Sequence, residues 1–329
     1  MNFAVIGTNF ITDRLIAAGS KVPGFRVQAV YSRTMERAKE FAAKYDIPDT
    51  YDSLDALQAA DNVDIVYVAS PTYCHAAQTI KMLEGGKHVL CEKPVASDSG
   101  ELAAMIAAAR ENHVIMLEAM RSVFGLEFRA VQEHLPELGK IRRATFEYCQ
   151  YSSRYDHFKQ GIIENAFRPE LSNGAIMDIG IYTVHALVKL FGKPDEVKAM
   201  AEILPGSIDG SGTILAHYKE KGMIAELIYS KITDTRMPSE IQGEDAIMVI
   251  DKISDIRKVM ICDRHTKETR EIPIEREDGN MIYQVQEIMR LAEMTEDEAM
   301  AAAAEHNKYS VWEMEIVDEV RRQIGYEFK

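Results

Sequence analysis

The sequence predicts an α/β chain in two parts: a parallel sheet with helices on both sides, then an α+β domain on an open, mostly antiparallel sheet. Three observations carry this. Short apolar, β-rich runs alternate with longer helical stretches up to about residue 120. Beyond that point strand-like runs follow one another without helices between them, and such strands pair antiparallel. The residues with chemical potential collect where the N-terminal runs end. A length of 329 residues suits two domains of ordinary size, each with its own core.

In the first part the runs are "FAVIG" (3–7), "VQAVYS" (27–32), "VDIVYVAS" (63–70), "KHVLCE" (87–92) and "VIMLEA" (114–119). They are apolar on both faces, as strands buried between two helical layers must be. Between them stand "TMERAKEFAAKY" (34–45), "YCHAAQTIKMLEGG" (73–86) and "SGELAAMIAAARENH" (99–113), rich in Ala, Glu, Lys and Leu. Gly85 and Gly86 close the middle helix where a C-cap belongs.

The second part predicts helices at 126–135 and 175–192, then strands at 197–204, 212–219, 222–230, 245–250 and 258–263. Helices at 281–294 and 309–324 close the chain, and the methionines from Met281 to Met300 read as gap-filling core. The change of pattern near Met120 divides the chain into two domains, 1–120 and 121–329.

Composition excludes several classes. A net charge of −14 argues against nucleic acid and anionic membrane surfaces as partners. No apolar run approaches the ~18 residues of a membrane span, and the first residues lack the basic segment of a signal peptide. Cys74, Cys91, Cys149 and Cys262 are scattered, as free thiols in a reducing cytoplasm are. No histidine pair or carboxylate cluster shows metal-ligand spacing, so no metal is expected. The expected protein is cytoplasmic, with a small-molecule substrate.

Ligands of open parallel sheets sit outside the carboxyl ends of the strands. There this sequence places Gly7-Thr8-Asn9 with Phe10 and Ile11, then Ser32-Arg33, then Ser70-Pro71-Thr72 with His75, then Glu92-Lys93-Pro94. Gly7 permits a tight turn, and a helix starting near Phe10 turns its positive dipole end toward a pyrophosphate. Asn9 and Thr12 stand where G-x-G-x-x-G has its second and third glycines; Asn tolerates left-handed backbone angles. An NAD site wants an acid at the end of the second strand for the ribose hydroxyl. Ser32-Arg33 stands there instead, matching a 2′-phosphate, so NADP is preferred over NAD.

In the second domain Asp178, Tyr182 and His185 follow one another at offsets of four and three, sharing one face of an otherwise apolar helix. Tyr182 and His185 can equally be core residues with satisfied polar atoms. Arg168 before this helix and Arg121 at the domain crossing are candidate cations for a substrate oxygen.

These motifs together resemble the glucose–fructose oxidoreductase/inositol dehydrogenase (Gfo/Idh/MocA) family over essentially the whole chain. The resemblance rests on "VIGTNFIT", "YSRTMERAKEFAAKY", the Pro-x-x-x-His of "PTYCH", the Glu-Lys-Pro of "CEKP" and "GAIMDIGIY". It implies a Rossmann domain followed by a domain whose open sheet covers the substrate cleft and mediates oligomerisation. It implies that Lys93 lies near nicotinamide and substrate hydroxyl, with a cis Lys93–Pro94 peptide. Tyr182 takes the place of the proton donor or acceptor, Asp178 holds substrate or orients Lys93, and His185 supports them. Asn173-Gly174 replaces the family's double glycine.

The function implied is hydride transfer between NADP, or NAD, and a secondary alcohol or ketone of a sugar, polyol or cyclitol. Two alternatives stand beside it: a non-catalytic NAD(P)/sugar-sensing regulator, and a dihydrodiol or dicarbonyl reductase. Lys93 and Tyr182 together favour an enzyme, because a sensor has no need of a proton donor.

Overall fold

The computed structural model describes residues 1–277 and 279–326. Its N-terminal part alternates strictly. β1 (Asn2–Ile6) leads to α1 (Phe10–Gly19), β2 (Arg26–Tyr31) to α2 (Met35–Tyr45), and β3 (Asp49–Tyr51) to α3 (Leu54–Gln58). β4 (Ile65–Val68), α4 (His75–Glu84), β5 (His88–Glu92), α5 (Ser99–Glu111) and β6 (Met116–Ala119) follow. Side-chain oxygens start four of these helices: Asn9, Thr34, Ser53 and Asp98 each accept a first-turn amide. The six strands pair in parallel in the order β3-β2-β1-β4-β5-β6. The order reverses between β1 and β4, which puts the switch point at their carboxyl ends.

The second part adds α6 (Leu126–His134), β7 (Ile141–Cys149), α7 (Ser153–Lys159) and α8 (Ile181–Phe191). Its remaining strands are β8 (Glu196–Leu204), β9 (Ile208–Tyr218), β10 (Met223–Ser230), β11 (Ser239–Gly243), β12 (Ala246–Ile250), β13 (Val259–Asp263) and β14 (Thr269–Ile272). They form one eight-stranded sheet, β14-β13-β12-β11-β7-β10-β9-β8, antiparallel except where β7 meets β10. Ala144, Phe146, Ala225, Leu227 and Tyr229 are buried beneath the α8 segment on one face of this sheet. Met200, Leu215, Ile224 and Ile247 remain exposed.

The chain closes with α9 (Met281–Ala292) and α10 (Glu296–Ile324). Here the sequence reading needs correction, since a single boundary near Met120 does not describe the chain. One compact unit comprises Met1–Arg121 and Glu277–Val311, the other Ser122–Arg276 and Trp312–Lys329. Met281, Val285, Ile288 and Leu291 share one buried core with Phe3, Leu15, Tyr67 and Leu117. Amphipathic spacing shows that a helix has an apolar face; it does not show which core receives it.

Other differences are local. β3, α3, β7, β11 and β14 were not anticipated; β7 carries Arg142, Arg143 and Glu147, which disguise its alternation. Among the described residues one helical segment, Pro169–Phe191, is long and apolar enough to cross a membrane, at mean hydropathy 1.4. It is 83% buried within the protein, as a core element is.

Candidate active site

In the first unit the strand ends carry a connected set of loops. Gly7 has φ +108°, and a Cβ there would lie 2.5 Å from the Ala69 carbonyl oxygen, so the close approach of β1 and β4 needs glycine. Asn9 occupies its place for a different reason from the one expected. Its backbone is extended, with φ −106°, and its side chain does the work. Oδ1 accepts from the amides of Ile11 and Thr12 at 3.0 and 3.3 Å, while Nδ2 donates to the Ala69 carbonyl at 2.8 Å. Two helix-start amides are thereby taken by the cap. Thr12 is buried and donates to the Gly7 carbonyl at 2.9 Å, closing the turn from within.

Around the adjacent strand ends stand cations. Ser32 is buried and Arg33 exposed. The Tyr73 phenol is pushed up chiefly by its hydrogen bond to Cys74, with the Arg33 charge opposing this. Arg37, unanticipated, donates from Nε to the Thr8 hydroxyl at 2.8 Å. Phe10 is exposed and has the Arg14 guanidinium over its ring. Pro71 is exposed, Thr72 buried, and the Ser70 hydroxyl donates to Gln78 Oε1 at 2.6 Å. A glycine turn entering a helix N-terminus, flanked by two arginines beyond β2, fits a dinucleotide carrying an extra phosphate.

His75 is a correction. It was expected among the cofactor contacts, yet it is 1% exposed and both ring nitrogens face backbone carbonyls. Nδ1 lies 2.9 Å from Pro94 O and Nε2 2.8 Å from Ser70 O. Burial pushes its imidazole down. The ring ties the loop after β4 to the loop after β5.

That second loop presents Lys93, half-buried, before a Lys93–Pro94 peptide that is cis, as the resemblance implied. Glu92 is buried behind it and accepts the Tyr67 hydroxyl at 2.5 Å. Burial pushes the Glu92 carboxyl up, opposed by Tyr67 and by the charges of Lys93 and Arg121. Arg121 donates to Asn280 Oδ1 at 2.9 Å, so its head is part of the first unit's own network. Glu118 stands in no motif and was not anticipated: buried on β6, it accepts the Val95 amide at 3.2 Å and the Ser310 hydroxyl at 2.6 Å. Glu92 and Glu118 together hold the Lys93 loop from beneath.

In the second unit the helix carrying Asp178, Tyr182 and His185 is not uniform. Ile176–Gly180 is a π-turn, in which the Ile181 amide reaches back five residues to Ile176 O, and α8 begins only at Ile181. Such wide turns are rare and concentrate at functional sites. Gly174, at φ +145°, precedes it; a Cβ there would lie 2.2 Å from Asp209 Oδ1. Asp209 accepts the amides of Ala175 and Ile176 at 2.9 and 2.7 Å and so caps the turn. Burial pushes its carboxyl up to about 6 despite those bonds and the Lys231 charge.

Tyr182 is 5% exposed, with the Tyr148 ring edge-on at 5.5 Å. Asp178 is 38% exposed at its side chain and pairs through Oδ2 with Lys231 Nζ at 2.9 Å. His185, expected near substrate, is buried instead, with Nδ1 2.5 Å from Glu313 Oε2. Its ring is met inside the protein by the carboxylate of Glu313 on α10. Arg168 is exposed and leans on the Ile163 carbonyl at 3.4 Å.

Comparison with known proteins matches the two parts of the chain separately. A family model for an oxidoreductase family with an NAD-binding Rossmann fold matches residues 1–120, and the GFO/IDH/MocA C-terminal domain matches residues 128–249. The scyllo-inositol 2-dehydrogenase (NADP(+)) IolU of Bacillus subtilis is 42% identical, covering 99% of this chain and 97% of its own. Mouse trans-1,2-dihydrobenzene-1,2-diol dehydrogenase is 30% identical over 66% of this chain and 65% of its own. Among solved structures, a variant of the 3-ketoreductase KijD10 from Actinomadura kijaniata, in complex with TDP-benzene and NADP, superposes with a TM-score of 0.84. It covers 98% of both chains at 23% identity, a likeness of fold. The chain belongs to the GFO/IDH/MocA family and is a nicotinamide-dependent oxidoreductase.

Proposed function

We propose that the protein is an NADP-dependent dehydrogenase of ring polyols. The two relatives named above act, by name, on scyllo-inositol and on a trans-dihydrobenzenediol. Both substrates are six-membered carbocycles with vicinal trans hydroxyls, and that motif is the proposed substrate class. Bound nicotinamide supplies or accepts the hydride.

This chain's residues do the rest. Ser32, Arg33 and Arg37 hold the 2′-phosphate end, and the turn at Gly7–Phe10 holds the pyrophosphate. Asp178 binds one hydroxyl of the diol. Tyr182 exchanges the proton of the reacting hydroxyl, and Lys93 stabilises the negative charge that develops on that oxygen. Arg168 and Arg121 are lesser candidates for substrate contact. The observation that carries the reading is the π-turn, which holds the half-exposed Asp178 and runs directly into the first turn of α8 with its buried, ring-braced Tyr182.

The test is absorbance at 340 nm with scyllo-inositol and trans-1,2-cyclohexanediol, each with NADP and NAD. Turnover of either diol, faster with NADP, is expected. Activity confined to acyclic substrates, or preference for NAD, overturns the reading.

The working form is proposed to be a cytoplasmic homo-oligomer, at least a dimer. Met200, Leu215, Ile224 and Ile247 give the second unit's sheet an apolar surface that a monomer leaves wet.

A further inference from the structure

Lys231 follows the last residue of β10 and carries no motif. Its ammonium is nevertheless among the most enclosed charges in the second unit, 3% exposed at the side chain. Three things surround it. Asp178 Oδ2 lies at 2.9 Å, the Ala166 carbonyl oxygen at 2.9 Å, and the Phe167 ring centroid at 5.0 Å. An ammonium has three donors, and these contacts supply an anion, a carbonyl and a π-face for them. The backbone of Lys231 is held as firmly: its amide donates to Gly210 O at 2.8 Å, and its carbonyl accepts the Ser152 amide at 2.9 Å.

A buried cation whose head is engaged by Asp178, Ala166 and Phe167 does not reach out to substrate. What it does is fix its one mobile anionic partner. A carboxylate that is 38% exposed has several rotamers open to it, and a buried ammonium on one oxygen selects among them. Lys231 also joins the Ala166–Phe167 turn to the π-turn, two segments otherwise separated by a loop.

We propose that Lys231 is a positioning residue, a buried ammonium that locks the Asp178 carboxylate in the orientation used to bind the substrate diol. This rests on the reading of Asp178 as the diol-binding group. A group acting only through Asp178 loses its effect once Asp178 is gone, whereas a residue that merely supports the fold does not. That difference makes the inference testable by a double-mutant cycle.

The experiment measures kcat and KM on the full-length protein, with scyllo-inositol and NADP, for Lys231→Met, Asp178→Asn and the double variant. Lys231→Met is expected to lower kcat/KM about ten- to hundredfold, the scale of a misplaced binding group. NADP affinity by fluorescence titration stays unchanged. In the Asp178→Asn background Lys231→Met should alter kcat/KM by no more than about twofold. Lys231→Arg, which keeps the charge, should recover part of the loss. Losses that multiply in the double variant overturn the proposal and leave Lys231 as a fold-supporting residue. If Lys231→Met does not give a cooperative thermal melt, Lys231→Gln, which still donates to Ala166 O without the charge, takes its place in the cycle. Wild-type kcat/KM in Asp178→Asn alone refutes the diol-binding reading, and the proposal with it. A crystal structure of Lys231→Gln tests the lock whatever the substrate: Asp178 must leave its position, and an unmoved carboxylate ends the proposal.

Discussion

Arg37 donates from Nε to the Thr8 hydroxyl at 2.8 Å, so a cation from the second helix already stands on the glycine turn. Arg33 lies four residues earlier, in the loop between β2 and α2. Replacing either arginine by alanine should weaken NADPH binding by about 1.5–3 kcal/mol, roughly ten- to hundredfold, as loss of a charge-assisted phosphate contact does. NADH binding should change little. Titration of both cofactors by fluorescence checks this; equal losses for the two would place the arginines on the shared pyrophosphate instead.

Turnover should depend on Lys93 and Tyr182 as one unit. In the proposed mechanism the hydroxyl that passes the proton and the ammonium that steadies the charge act on the same substrate oxygen, so neither works without the other. Lys93→Met and Tyr182→Phe should each cut kcat by roughly 10²–10⁴-fold while NADPH affinity holds. The double variant should be little worse than the worse single one. Near wild-type turnover in Tyr182→Phe would return that ring to the core.

The exposed face of the second unit's sheet predicts association. Leu215→Glu and Ile224→Lys should together shift the mass from oligomer to monomer by light scattering at micromolar concentration. A wild type that is already monomeric refutes the assembly.

Acid stability should report on the α9–α10 pair. Glu287 is held down to about 2, chiefly by its hydrogen bonds to Arg290, with His306 adding to them against the opposing effect of burial. A carboxyl whose folded pKa lies below its ordinary 4.5 adds stability above that value and loses it as pH falls toward about 2. Glu287→Gln should therefore lower the urea midpoint at neutral pH. The gap to wild type should close between pH 4.5 and about 2.

Much of this was legible in the sequence. Buried parallel strands are apolar on both faces, and that pattern identified β1, β2, β4, β5 and β6 without help from tertiary structure. Candidates for the site were legible where they sit on strand ends or in a motif, as Lys93, Ser32, Arg33, Asp178 and Tyr182 do. Residues that act through space were not. Glu118, Lys231 and Glu313 meet their partners across the fold, and no local pattern marks them. His75 and His185 were expected at cofactor and substrate, but a histidine's spacing does not reveal whether its ring faces a ligand or an acceptor of the protein's own. The π-turn was invisible because a single inserted residue leaves apolar periodicity nearly unchanged.

The recrossing of the chain has a consequence for how the protein is made. Met281, Val285, Ile288 and Leu291 complete a core begun by Phe3 and Leu15. Domains emerging from the ribosome generally fold as units, N-terminal first. Here the nascent first domain has all six strands by residue 119 but lacks a helix pair that is synthesised only after the entire second sheet. Its apolar flank must wait, open, while about half of the protein is translated. A fragment ending at residue 121 should therefore bind chaperones and aggregate, and supplying residues 277–311 in trans or by fusion should rescue it.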